Sequence, residues 1–131
     1  MRVAVPIWGE VVSPLFDSAG SLLVVRFGHD GELERQQLAM AGATPAIRAQ
    51  LLVRVGVEVL LCGAISRSAQ RMLNAGGITV VGWVTGPVDE VLQAFLDDEL
   101  DRPRFQLPGC CGRGRQRRRR ARWGPDGRRN K

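Results

Sequence analysis

The sequence predicts a three-layer α/β/α domain, a mixed five-stranded sheet with helices on both faces, and three observations lead there. Two short runs, residues 57–61 and 78–81, are apolar on successive positions and do not alternate, which is the pattern of strands covered by helices on both sides. Between them the small-residue turn Cys62-Gly63-Ala64 leads into a helical segment that Gly76 and Gly77 close, giving one βαβ unit. Upstream, two strand-like runs flank the tetrapeptide GHDG, a hairpin signature whose glycines accept positive φ. The runs 57–61 and 78–81 are therefore expected in the middle of the sheet.

In chain order, residues 2–7 (RVAVPI) form the first strand, with Pro6 near its end, where a ladder amide is not required. Residues 8–20 form a loop rich in turn formers that carries Val11, Val12, Leu15 and Phe16, so it packs over an edge of the sheet. The hairpin pairs residues 21–27 with 32–38 and puts the sole histidine, His29, at its tip as an exposed turn residue. Thr44 and Pro45 read as the N-cap and first turn of a helix. Ile47, Leu51 and Val55 recur at four-residue spacing as its buried stripe, and Gly56 ends it. Gly86 and Pro87 start a last helix with the stripe Val88, Val91, Leu92, Phe95 and Leu96. Asp89 and Glu90 sit in its first turn, where the helix dipole favours them. Asp97, Asp98, Glu99 and Asp101 gather at its far end, offset in part by Arg102 and Arg104.

Length and charge divide the chain. Its 131 residues, 44% of them apolar, suit one domain with its own core. Residues 1–108 hold nine Arg against twelve Asp and Glu, a charge of −3, whereas residues 109–131 hold nine Arg and one Lys against one Asp, a charge of +9. The second stretch has almost no aliphatic residues and too much like charge to pack, so a domain 1–108 followed by a disordered Arg-rich tail 109–131 is expected. No stretch approaches the roughly 18 apolar residues of a membrane span. The N-terminal apolar run is too short for a secretion signal, and the chain reads as cytoplasmic. Three cysteines, two of them adjacent, make a poor disulfide framework and point to metal or redox chemistry.

The candidate site is the turn after the run 57–61, because open α/β sheets bind ligands at the carboxyl ends of their central strands. Ser66 caps the following helix, whose mouth offers unpaired N–H groups and the positive end of a dipole to an anion. Cys62, Gly63, Ala64, Ile65 and Ser66 are thus the candidate cofactor-binding residues. Cys62 itself reads either as a buried small residue or as a thiolate favoured by the helix N-terminus. Cys110 and Cys111, beside several arginines, form a second metal candidate. Adjacent cysteines alone do not complete a four-donor structural zinc site, and the chain offers three thiols and one imidazole at most, but two thiolates can take a soft metal or a cluster edge, with further ligands from a second chain. The run RQRRRRAR with Trp123 suits a nucleic-acid backbone or an acidic protein equally.

Enzyme chemistry finds little support. The element order outlines a ribonuclease H-like architecture, yet RVAVPI, VLL and ITVV lack the carboxylates that would hold two catalytic metal ions. No base lies near Cys62 in the sequence, and there is no P-loop or GxGxxG. The expectation is a binding protein.

Taken together, RVAVPI, the VSPLF loop, the hairpin, GVEVLLCGAISRSAQRMLNAGGITV and GPVDEVLQAFLDDEL resemble, over residues 1–100, the dinitrogenase iron-molybdenum cofactor biosynthesis family of NifX-type carriers and small stand-alone proteins. The resemblance implies a ribonuclease H-like fold without nuclease activity, binding or delivery of an iron-sulfur or iron-molybdenum cluster or its precursor, cluster-biosynthesis proteins as partners, and a setting in nitrogen fixation. Two positions differ from the family pattern. Its loop usually reads SPHFGRA with a ligand-like histidine where this chain has Leu15, and its turn usually reads GGIG where this chain has Cys62.

Overall fold

The computed structural model describes residues 1–106. Six strands, β1 (Arg2–Trp8), β2 (Val11–Val12), β3 (Ser21–Gly28), β4 (Gly31–Ala39), β5 (Val59–Leu61) and β6 (Thr79–Val81), join three helices, α1 (Pro45–Val55), α2 (Arg67–Ala75) and α3 (Val88–Leu96). The sheet order is β4-β3-β1-β5-β6, with the short β2 paired to β1. β1 is antiparallel to β3, with Val3 opposite Val25, and parallel to β5, which is parallel to β6. This is the mixed five-stranded sheet with helices on both faces that the pattern predicts, extended by a two-residue strand.

Strand alternation sorts the core into two layers. Ala4, Leu22, Val24, Leu60 and Val80 face α1 and α2, packing on Ala49, Leu52, Ala69 and Leu73. Val3, Val5, Val25, Val59, Leu61 and Val81 face α3 and the segment ending at Phe105. Each valine or leucine among them stabilises the fold by about 1.5 to 3 kcal/mol when fully buried. The hairpin turn holds His29, exposed as expected.

Three expectations are corrected. β6 is an edge strand, not a central one. Its continuous apolar run reflects cover on both faces, since Val80 enters one layer and Val81 the other, and says nothing of its outer edge. In α1 the stripe Ile47, Leu51, Val55 is only partly the core-facing one: Leu51 and Val55 pack half-buried against the core, but Ile47 is 55% exposed, and the fully buried face is Arg48, Ala49 and Leu52. The helix is turned so that Arg48 can enter the fold, a use of a charged residue that apolar spacing does not reveal. In α3 Ala94 is buried and Leu96 is 44% exposed, because the helix stops there and Asp98 turns the chain at φ 57. The acidic end is offset as expected, by Arg102 on Glu99 (3.2 Å), while Arg104 reaches back to Glu90 (3.6 Å).

Candidate functional site

Because β1, β5 and β6 are parallel, their C-terminal ends share one edge, and the loops 9–20, 62–66 and 82–87 meet there. Isolated bridges tie them together: Leu15 with Ala64, Val11 with Pro87, and Val84 with Gln106. The Phe16 N–H donates to the Ala64 carbonyl (2.9 Å), and the Ala64 N–H donates to that of Pro14 (2.8 Å). A Cβ on Gly63 would lie 2.6 Å from the Pro14 carbonyl oxygen and 2.8 Å from that of Ser13, so only glycine lets the loop lie this close.

Ser66 caps α2 as expected, its hydroxyl accepting from the Ala69 N–H (3.1 Å). The mouth of α2 is not open to an outside anion, however. The Asp17 carboxylate occupies it, accepting from the Ser66 N–H (2.9 Å) and from the Ser66 hydroxyl (2.6 Å). The positive end of the helix dipole is thereby met from within the chain. Asp17 was legible as an acid in the loop, but only the fold shows where the loop sets it.

Cys62 is wholly buried, in the layer with Phe16, Ala69 and Leu73. Its N–H donates to the Val81 carbonyl (3.0 Å) and its carbonyl accepts from the Val84 N–H (2.9 Å). Gly63 is buried as well, while Ala64, Ile65 and Ser66 are half-buried on the turn. The fold thus brings the five turn residues against loop 9–20. Cys110, Cys111 and the arginine run lie outside the described residues. His29 sits at the opposite edge of the sheet, since β3 runs antiparallel to β1. Among the described residues no three His, Cys, Asp or Glu side chains group as a metal site.

The accessible surface here carries several large apolar side chains among polar ones such as Glu10 and Ser18. Trp8 is 72% exposed, Val11 40% and Leu15 39%, beside the half-buried Ile65 and Trp83. Trp83 adopts φ 64, a left-handed conformation that costs a bulky residue about 1 to 2 kcal/mol. Its N–H donates to the Gly63 carbonyl (2.9 Å), which holds the β6–α3 turn against the β5–α2 turn. Beneath the rim lies Arg48, 2% exposed. Its Nε donates to the Ala43 carbonyl (2.9 Å), and its Nη1 donates to those of Ala19 (2.6 Å) and Phe16 (3.2 Å). Carbonyl dipoles thus compensate a buried cation and fasten loop 9–20 to α1. Sequence reading missed Trp8, Trp83, Asp17 and Arg48. A positive φ at Trp83 and a charge inside a helix have no signature in spacing.

Away from this edge, Arg35 donates to Glu32 through Nε (2.6 Å) and Nη2 (2.7 Å) and also meets Asp89 (3.0 Å). These hydrogen bonds hold the Glu32 carboxyl below its usual range and raise the arginine.

Residues 1–98 match the model of a protein family described as dinitrogenase iron-molybdenum cofactor. No curated protein matches the sequence. Among solved structures, the protein PH0822 superposes with a TM-score of 0.73 at 21% identity, over 83% of this chain and 96% of its own. The apo form of the orange protein from Desulfovibrio gigas gives 0.61 at 27% identity, over 75% and 88%. A Thermotoga protein proposed to be a NifB protein gives 0.58 at 28% identity, over 86% and 97%.

Proposed function

The chain belongs to the dinitrogenase iron-molybdenum cofactor family, and from that premise we propose that it is a non-enzymatic carrier which binds an iron-sulfur or iron-molybdenum cluster, or a precursor, and delivers it to cluster-assembly proteins. The observation that carries this reading is the apolar rim at the C-terminal edge of the sheet, fixed by three mutually bridged loops and continuous with the segment that leads to the two cysteines. Gln106 pairs with Val84 in that rim. Cys110 follows four residues later, a span of at most about 14 Å when fully extended.

In this reading the turn from Cys62 to Ser66 and the side chains of Trp8, Val11, Leu15 and Trp83 form a wall that excludes water. The cluster is ligated through Cys110 and Cys111, whose thiolates are soft donors suited to iron. Arg113 and Arg115 next to them favour the thiolate form and an anionic cargo. Leu15 supplies contact and no donor atom, so ligation passes to the thiols. Cys62, with its sulfur in the core, can ligate only if its turn opens.

Anaerobic incubation of the full chain with iron and sulfide, or with a cofactor precursor, is expected to give charge-transfer absorption and stoichiometric iron. An unchanged spectrum and no retained metal, under conditions that load a competent relative, would contradict the proposal.

A further inference from the structure

We propose that the face made by α1 and α2 is a docking groove for an acidic amphipathic helix of a partner protein. Between the two helices runs a groove of about 560 Å³ lined mainly by Ala46, Ala49, Val53, Met72 and Ala75, with Arg54 on its lip. Val53 is 47% exposed and Met72 38%, so apolar surface lies open in a row. The end of α2 lies close against α1, where a Cβ on Gly76 would meet the Val53 side chain at 2.6 Å. The small side chains Ala46, Ala49 and Ala75 in the groove admit a ridge of side chains from a third helix, the packing by which amphipathic helices are recognised in grooves.

Charge names the partner. Neither α1 (PAIRAQLLVRV) nor α2 (RSAQRMLNA) contains a carboxylate. Arg54, Arg67 and Arg71 are exposed, and among the described residues none of the three has an ion pair, whereas Arg26, Arg35, Arg102 and Arg104 all do. Arg54 lines the groove, and Arg71 lies one turn before Ala75 on α2, so positive charge flanks it from both helices. The chain's own residues 109–131, at +9, are repelled from such a surface. A second copy is also disfavoured, because two-fold pairing of this face would set arginines against arginines. An external helix with an apolar ridge flanked by Asp or Glu meets both features, and its charge steers the encounter.

The probe is a fluorescein-labelled helical peptide of about 18 residues, a length that holds helical structure, with leucines along one face and glutamates beside them. Anisotropy of the full chain with this peptide is expected to show salt-sensitive binding that is lost when the leucines become serine or the glutamates become lysine. Arg54→Glu with Arg71→Glu, and separately Met72→Glu, is expected to weaken it by about tenfold or more. Circular dichroism and cluster loading should stay unchanged, which separates this surface from the crevice proposal. Replacement of Arg117 through Arg120 by glutamine should leave peptide binding intact. Absence of binding, indifference to the groove variants, or loss on neutralising the 117–120 run would overturn the proposal. So would a dimer in sedimentation that Met72→Glu dissociates, since the groove would then belong to a second copy.

Discussion

Gly63 and Arg48 decide whether the loop over the site is held. Gly63→Ala forces a methyl into the backbone of Ser13 and Pro14, and such overpacking costs about 1 to 3 kcal/mol. Urea unfolding is expected to show that loss together with weaker cluster retention, since loop 9–20 must shift. Arg48→Met keeps the volume but removes the donor from the Ala19 and Ala43 carbonyls and one of two donors from that of Phe16, which keeps the Ala19 N–H (3.2 Å). Each unsatisfied buried acceptor costs about 1 to 3 kcal/mol, so this variant should lose more stability than any single cap variant in the same assay. At this scale the sequence was partly legible. Ser66 declared its cap through its position before a helix, but the placement of Asp17 on Ser66 joins residues 49 apart, a contact no local pattern encodes.

Helix and strand identities were legible because they rest on local chemistry. The Thr44 hydroxyl accepts from the Ile47 N–H (3.2 Å), and Gly56 ends α1 in the left-handed region at φ 88. The buried face of α1 was only partly legible: Leu51 and Val55 do pack on the core, but Ile47 does not, and the centre of the face is Arg48 reaching Phe16 and Ala19. β6 reads like a central strand because periodicity reports cover on two faces and is blind to a missing neighbour. A pH prediction belongs to the Glu32–Arg35 pair on β4. The Glu32 pKa is lowered from its ordinary 4.5 by Arg35, so the pair stabilises the fold above pH 4.5, and that contribution fades as the pH falls through the lower folded value. Both side chains are more than a third exposed, so the effect is small. Glu32→Gln should be slightly less stable than the parent at pH 7 and converge with it in acid, as read by urea midpoints across pH.

The molecule as a whole separates its charges: −3 over residues 1–108 and +9 over residues 109–131. Ten cations in so short a stretch suit phosphates or an acidic protein. Nucleic-acid binding through six to eight of them would fall about a thousandfold or more between low and moderate salt. A filter-binding series on single-stranded DNA checks this, and weak salt dependence would remove nucleic acid as the partner of residues 109–131. That stretch also carries Cys110 and Cys111, so its role and the cluster's are joined. The family and the fold were legible in the ordered motifs. The route of ligation was not, because it turns on which way the Cys62 sulfur points.

Iron content after anaerobic reconstitution therefore tests the carrier reading most directly, compared among the full chain, Cys62→Ser, and the double change Cys110→Ser with Cys111→Ser. Ligation through Cys110 and Cys111 predicts that Cys62→Ser keeps its iron and charge-transfer bands while the double variant loses both. Retention by the double variant with loss in Cys62→Ser would place the ligand in the core turn and contradict the account.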